Sequence, residues 1–193
     1  MHTPGHVLLN LSLLGCVTGF ESAVIAGAVL PDVPIVILYL RERLRGTPTE
    51  TIWSVCYQQP HWLAIIHLGH SIPLALVGIA ICSLFHIRFA VDFFVSMLCH
   101  ALCDFPLHAR DAHRHFFPLS NYRFISPWSY WDVQHHGRLV AFIECLVVLA
   151  CATELYATSG TRFPTLPKLP LQLFLGGTLV WYAQNYYRTF LRA

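Results

Sequence analysis

The sequence predicts an all-α, polytopic membrane helix bundle of about five or six apolar helices, with a His-rich, aromatic-rich loop between helices 4 and 5. Three observations predict it. Of the 193 residues, 55% are hydrophobic and 11% charged, whereas soluble domains average about 25% charged. Several apolar runs approach or exceed the roughly 20 residues that cross a bilayer. There are 12 histidines, as many as Lys and Arg together, and polar groups in hydrocarbon are costly enough to demand a chemical reason. This composition excludes a disordered chain, which needs low hydrophobicity and high charge. A net charge of +2 gives no broad basic field, so nucleic acid is not an expected partner. The length suits a single integral-membrane domain over residues 1–193.

Taken in order, Val7 to Leu40 is mostly apolar but holds Glu21, Asp32, Pro31 and Pro34. It reads either as one span or as a short helix that turns near Gly19-Phe20-Glu21 into a second. Trp62 to Phe85 contains no Asp, Glu, Lys or Arg and reads as a long third span. Phe89 to Cys103 is apolar apart from Asp92, and Leu139 to Tyr156 apart from Glu144 and Glu154. Pro164, Pro167 and Pro170 mark a stiff linker before the charge-free run Leu169 to Tyr187. With six helices and a cytoplasmic N-terminus, nine of the basic residues fall inside (Arg41, Arg43, Arg45, Arg110, Arg114, Arg123, Arg138, Arg188, Arg192). Three fall outside, namely Arg88, Arg162 and Lys168. That asymmetry follows the positive-inside rule and puts both termini in the cytoplasm. It leaves a first helix of only about 12 to 14 residues, too short to cross at about 1.5 Å per residue. The segment Met1 to His6 lacks the basic start of a cleaved signal peptide. The seven cysteines are scattered without a C-x-x-C, so they read as packing residues rather than a disulfide framework or thiolate zinc site.

Ligand-type residues recur along this frame. His100 and Asp104 are spaced i, i+4, which puts both on one helix face. His108 lies about 80° further round at about 100° per residue. The pair reads either as two ligands of a divalent ion or as an interfacial His beside a capping or ion-paired Asp. His67 and His70, at i, i+3, are either ligands or hydrogen-bonded bundle histidines. Asp32 interrupts an apolar run, where a carboxylate needs a metal, a cation or a helix end as partner. His6 is the last polar residue before the first apolar run. Under the six-helix arrangement, His6, His67, His70, His100 and Asp104 all fall near the cytoplasmic ends of their helices, and Asp32 leads to that side. The loop Phe105 to His136 adds five histidines and eight aromatics among 32 residues. Within it, Arg110 and Arg114 are candidates to clamp an anionic substrate, and Asp111 and His113 for acid/base work. The same cluster also reads as an ordinary positive-inside loop.

Four stretches carry a family resemblance: Gly5-His6-Val7-Leu8, Ala26-Gly27-Ala28-Val29-Leu30-Pro31-Asp32, His70-Ser71, and His100-Ala101-Leu102-Cys103-Asp104. Over roughly residues 2–120 the chain resembles the YdjM-like family of bacterial inner-membrane metal-dependent hydrolases. The resemblance implies a multi-helix membrane fold and a divalent metal held by His6, Asp32, His70, His100 and Asp104. The chain departs from the family pattern at Val33-Pro34, where a second acid often follows Pro-Asp, and at Leu68, where an Arg often follows the first His. The order of ligand types is also similar to that of zinc-dependent phospholipase C.

The expectation is therefore a membrane-bound hydrolase of the bacterial inner membrane. A metal-activated water would attack a phosphoester or other ester, lipid esters included, near the cytoplasmic interface. Zinc is the first expectation for the metal, with manganese and iron as alternatives, and membrane lipid or a small molecule as the partner. Arg110 and Arg114 would stabilise developing charge. The alternative is a non-catalytic protein that binds haem or carries metal ions through histidines on facing helices. A di-iron oxidase is a third idea, met only partly by His108-x4-His113 and His135-His136.

Overall fold

A computed structural model describes residues 1–15, 19–162 and 168–191. Among these residues the fold is all-α. The main helices are α1 (Thr3–Leu14), α2 (Glu21–Val29), α3 (Val33–Leu44), α4 (Pro60–Gly69), α5 (Ile72–Leu84), α6 (Arg88–Asp104), α7 (Gly137–Arg162) and α8 (Lys168–Tyr186). A 3-10 turn, Leu30–Asp32, joins α2 to α3. Pro31 and Pro34 sit in the first turns of these elements, where a missing N–H costs little.

The first segment is two elements. α1 packs on α2, α6 and α7, and α2 runs through the 3-10 turn into α3 as one 24-residue apolar stretch, Glu21–Leu44. His6 and Asp32 thereby lie at the same end of the bundle. Trp62 to Phe85, expected as one span, is made of two helices bent by 47° at His70-Ser71, either a broken span or a re-entrant pair. Local chemistry explains the break. The Ser71 hydroxyl accepts the Leu74 N–H at 3.2 Å as an N-cap. Pro73 occupies the first turn of α5, and with no N–H to offer the carbonyl four residues back it cannot continue the helix that ends at Gly69. Gly69 also lets the chain pass Pro31 so closely that a Cβ there would lie 2.8 Å from the Pro31 Cα.

Glu21–Leu44 and Gly137–Thr158 are long and apolar enough to cross a membrane, and the bent pair α4–α5 makes a third candidate. Among the described residues these are the candidate spans within eight main helices, where about five or six apolar helices were expected, the first of them too short to cross. α1 has 12 residues and α6 has 17, about 18 and 26 Å at 1.5 Å per residue. Both are shorter than the roughly 30 Å hydrocarbon layer. Large apolar side chains nevertheless cover the outer faces of the longer helices, Ile37 and Leu40 on α3 and Phe142, Ile143 and Leu146 on α7 among them. Of the linker prolines, Pro164 and Pro167 lie outside the described residues, and Pro170 falls in the first turn of α8.

The main core joins α1 (Val7, Leu8, Leu11) and α2 (Val24, Ala28) to α7 and α8 (Val148, Leu155, Leu175). A second contact, α2 on α6, holds the site. Gly27 is pressed against the Phe93 carbonyl, and a Cβ there would meet Ser96 Cβ at 2.8 Å. Close backbone approach through small residues is the usual way membrane helices pack. Ser96 donates to the Val24 carbonyl at 2.6 Å, and Asn10 of α1 donates to Ser96 Oγ at 2.8 Å. Glu144, inside a candidate span, accepts from the Tyr182 hydroxyl at 2.7 Å and the His2 N–H at 2.8 Å. Among the described residues the cysteines are free.

Candidate metal centre

Five pieces of chain bring ligand-type residues to one end of the bundle: the start of α1, the 3-10 turn, the α4–α5 bend, the end of α6 and the following loop. His6, His70 and His100 have no exposed surface, and Asp104, His113 and His115 have 2% each.

Three histidines share one arrangement. His70 Nδ1–H donates to the Ile66 carbonyl at 2.8 Å, and His100 Nδ1–H to the Ala28 carbonyl at 2.8 Å. His108 Nδ1–H donates to Asp111 Oδ2 at 2.8 Å. A carbonyl or carboxylate on Nδ1 fixes the proton there and leaves Nε2 as a lone pair. All three Nε2 atoms are buried without a hydrogen-bond partner. They converge on Asp104 Oδ2, at 3.6 Å from His70, 3.3 Å from His100 and 3.4 Å from His108. Asp32 Oδ1 lies 3.6 Å from both His70 Nε2 and His100 Nε2. With the rings neutral, lone pairs of nitrogen and carboxylate oxygen would face one another, so each contact calls for a cation, either a proton on Nε2 or a metal ion. Ligands bound at about 2.0–2.1 Å to a tetrahedral zinc lie about 3.3–3.4 Å apart, so the spacing and the donor chemistry both fit a divalent ion.

The donors fall into two sets. Asp32, His70, His100 and Asp104 form one, and Asp104, His108 and His113 the other. Support around them is dense. Thr3 donates to Asp32 Oδ2 at 2.5 Å. Asp104 Oδ1 accepts from His6 Nε2–H at 3.0 Å and from the Met1 amino nitrogen at 2.6 Å. His6 also stacks on His100 with ring centroids 3.6 Å apart. His6 therefore stands beside the sets, orienting Asp104. His67 stands beside them too, since its Nδ1 accepts the Arg114 N–H at 3.3 Å. The bend at Ser71 ties down the loop, with Ser71 Oγ donating to the Phe117 carbonyl and the Ile72 N–H to the His115 carbonyl at 2.9 Å.

The loop brings His113 against His70, their rings stacked at 4.0 Å. Burial, reinforced by His70 and other neighbouring histidines, holds the His113 ring well below the ordinary histidine range and His115 down at about 4. Both are therefore neutral donors at pH 7. At His108, burial opposes the charged form, but the Asp104 and Asp111 carboxylates outweigh it and raise the ring to about 9. That corner of the site calls for a positive charge.

A cavity of about 420 Å³ opens beside the second set, lined by Ile35, Trp53, Tyr57, Gln58, Arg110, Asp111, His113, Tyr130 and Trp131. Asp111 accepts from His108 and, at 3.0 Å, from Trp131 Nε1–H, and its Oδ1 is unpartnered. Arg110 stands at the cavity, paired to Asp132 at 3.2 Å. Arg114 points elsewhere, its guanidinium donating to Asn121 at 3.1 Å. Arg123 clips the loop by donating to the Ala112 carbonyl at 2.6 Å. Two donors lay outside the ligand set read from the sequence: His108, for which the i, i+4 spacing from Asp104 was the available signal, and His113, which was read for acid/base work.

The site defines a helical protein with buried His/Asp groups able to hold metal. No family model, curated protein or solved structure matches the chain.

Proposed function

We propose that the protein is a membrane-embedded, metal-dependent hydrolase of the kind the YdjM-like resemblance implies. It would act on a phosphoester or other ester at the cytoplasmic interface of the bacterial inner membrane. The observation that carries this reading is the convergence of the unpartnered Nε2 atoms of His70, His100 and His108 on Asp104 Oδ2. Asp32 and Asp104, two buried carboxylates, complete a donor set suited to zinc, manganese or iron. Bound there, a divalent ion supplies Lewis acidity and makes water acidic enough to serve as a nucleophile near neutral pH.

The chain's own groups supply the rest. Arg110 offers positive charge at the cavity for an anionic substrate. Trp53, Tyr57, Tyr130 and Trp131 give the cavity an apolar wall that suits the hydrocarbon part of an amphiphile. Asp111 holds His108 in place, and its free Oδ1 is an acceptor for a proton at the cavity wall. The close stacking of His6 on His100 leaves no slot between those rings for a macrocycle, which disfavours the haem alternative.

The test is elemental mass spectrometry of detergent-purified wild type beside Asp104→Ala, followed by a screen of phosphoesters and lipid esters. Bound zinc, manganese or iron in the wild type, lost together with hydrolysis in the variant, is the expected result. A folded wild type that holds no ion after loading sinks the reading.

A further inference from the structure

Within the metal-centre reading above, on which this inference rests, the geometry points to two cation positions that share Asp104. Its carboxylate is the bridge. Asp32, His70 and His100 complete the inner position, and His108 and His113 the outer one.

Each donor set closes within 4.8 Å, and the two overlap only at Asp104. Ligands of one ion at about 2.1 Å lie at most about 4.2 Å apart, so a single ion does not gather both sets. Asp104 Oδ2 is equally placed toward each, 3.3 Å from His100 Nε2 and 3.4 Å from His108 Nε2. Its Oδ1 is held from the opposite side by His6, which turns Oδ2 inward to the histidines.

The outer set has its own marks of a ligand site. His108 is 5% exposed and His113 2%. His108 Nε2 and His113 Nδ1 are buried without partners. Asp111 fixes the His108 tautomer as the Ile66 and Ala28 carbonyls fix those of His70 and His100, and this outer support is the usual companion of a ligating histidine. The positions differ in access. His113, and the Asp111 that holds His108, line the aromatic cavity, whereas none of Asp32, His70 and His100 does. The outer position is thus the one a ligand in the cavity meets. Cavity-side Arg110 makes an anionic oxygen, such as that of a phosphoryl group, the fitting ligand class.

The test uses the full chain in detergent, stripped with a chelator and reloaded with Mn²⁺, then read by elemental analysis and electron paramagnetic resonance. Wild type is expected to hold about two ions per chain with an exchange-coupled spectrum. His108→Gln and His113→Ala are expected to hold about one, with the six-line spectrum of isolated Mn²⁺. One ion in a folded wild type, with an isolated spectrum, overturns the two-position inference and leaves the inner site standing. Two ions in both variants overturn the assignment of His108 and His113. No ion in folded wild type overturns this inference and the metal-centre reading together.

Discussion

At one end of the bundle, a cavity of about 420 Å³ borders the two donor sets. At the other end, where α1 gives way to α2 and α5 to α6, a cavity of about 540 Å³ is lined by Gly19, Phe20, Ser83, His86, Arg88, Val91 and Asp92. The second is larger and also contains a histidine and a carboxylate. Yet His86 and Arg88 are exposed there and Asp92 half-buried, so water can serve their polar atoms. At the first end the polar atoms are enclosed, their protons are committed to fixed acceptors, and their lone pairs point at one another. Volume and residue type do not separate the two ends. The orphaned lone pairs do, because an unsatisfied buried polar group costs about 1–3 kcal/mol and a charged one more.

Several substitutions can break this contrast. The largest effect is expected from Asp104→Ala, which removes the residue common to both donor sets and should abolish metal binding by equilibrium dialysis. Next is acidification. Ligand histidines must be deprotonated, so a metal must displace the proton of His108, raised to about 9, and affinity falls as pH drops through that value to 7 and below. At least a tenfold loss is expected in a competition titration against a chelator of known pH dependence; unchanged affinity would place the metal away from the histidines. Asp111→Ala should weaken binding at the outer set by about 10–100-fold, the usual effect of losing the partner that orients a ligating histidine. Gly27→Leu should cost about 1–3 kcal/mol by overpacking α2 against α6, seen as a lower Tm with metal released at lower temperature. Smallest of all, Asp92→Asn at the opposite end should leave metal content unchanged and stability within about 0.5 kcal/mol. If Asp92→Asn lost metal as Asp104→Ala does, the distinction between the ends would collapse.

Helix content and the polar interruptions were legible because both are local. Long apolar runs with few charges mark helices regardless of what they pack against, and the i, i+4 spacing of His100 and Asp104 states a shared face directly. The bend at His70-Ser71 was harder to see. Ser71 and Pro73 were visible, but the Gly69 approach to Pro31 that accompanies the bend joins residues 38 positions apart. The same limit applied to His67 and His70. Their i, i+3 spacing was one signal, and the fold divided it, sending His70 to Asp104 and Asp32 and leaving His67 to accept the Arg114 N–H. Arg110 and Arg114 looked equivalent in the chain, yet one lines the cavity and the other is bound to Asn121.

By itself, then, the sequence determined an apolar helical chain that collects His and Asp at recurring breaks, since composition and short-range spacing are properties of the covalent chain. Only the tertiary structure decided which of those residues meet, which nitrogen of each ring carries the proton, and that Asp104 stands between two sets of donors. Those outcomes depend on carbonyls and carboxylates delivered by other elements: Ala28 of α2 to His100, Ile66 of α4 to His70, and Asp111 of the loop to His108. Ring tautomer and lone-pair direction are set by the neighbour across the contact, and no spacing along the chain encodes them.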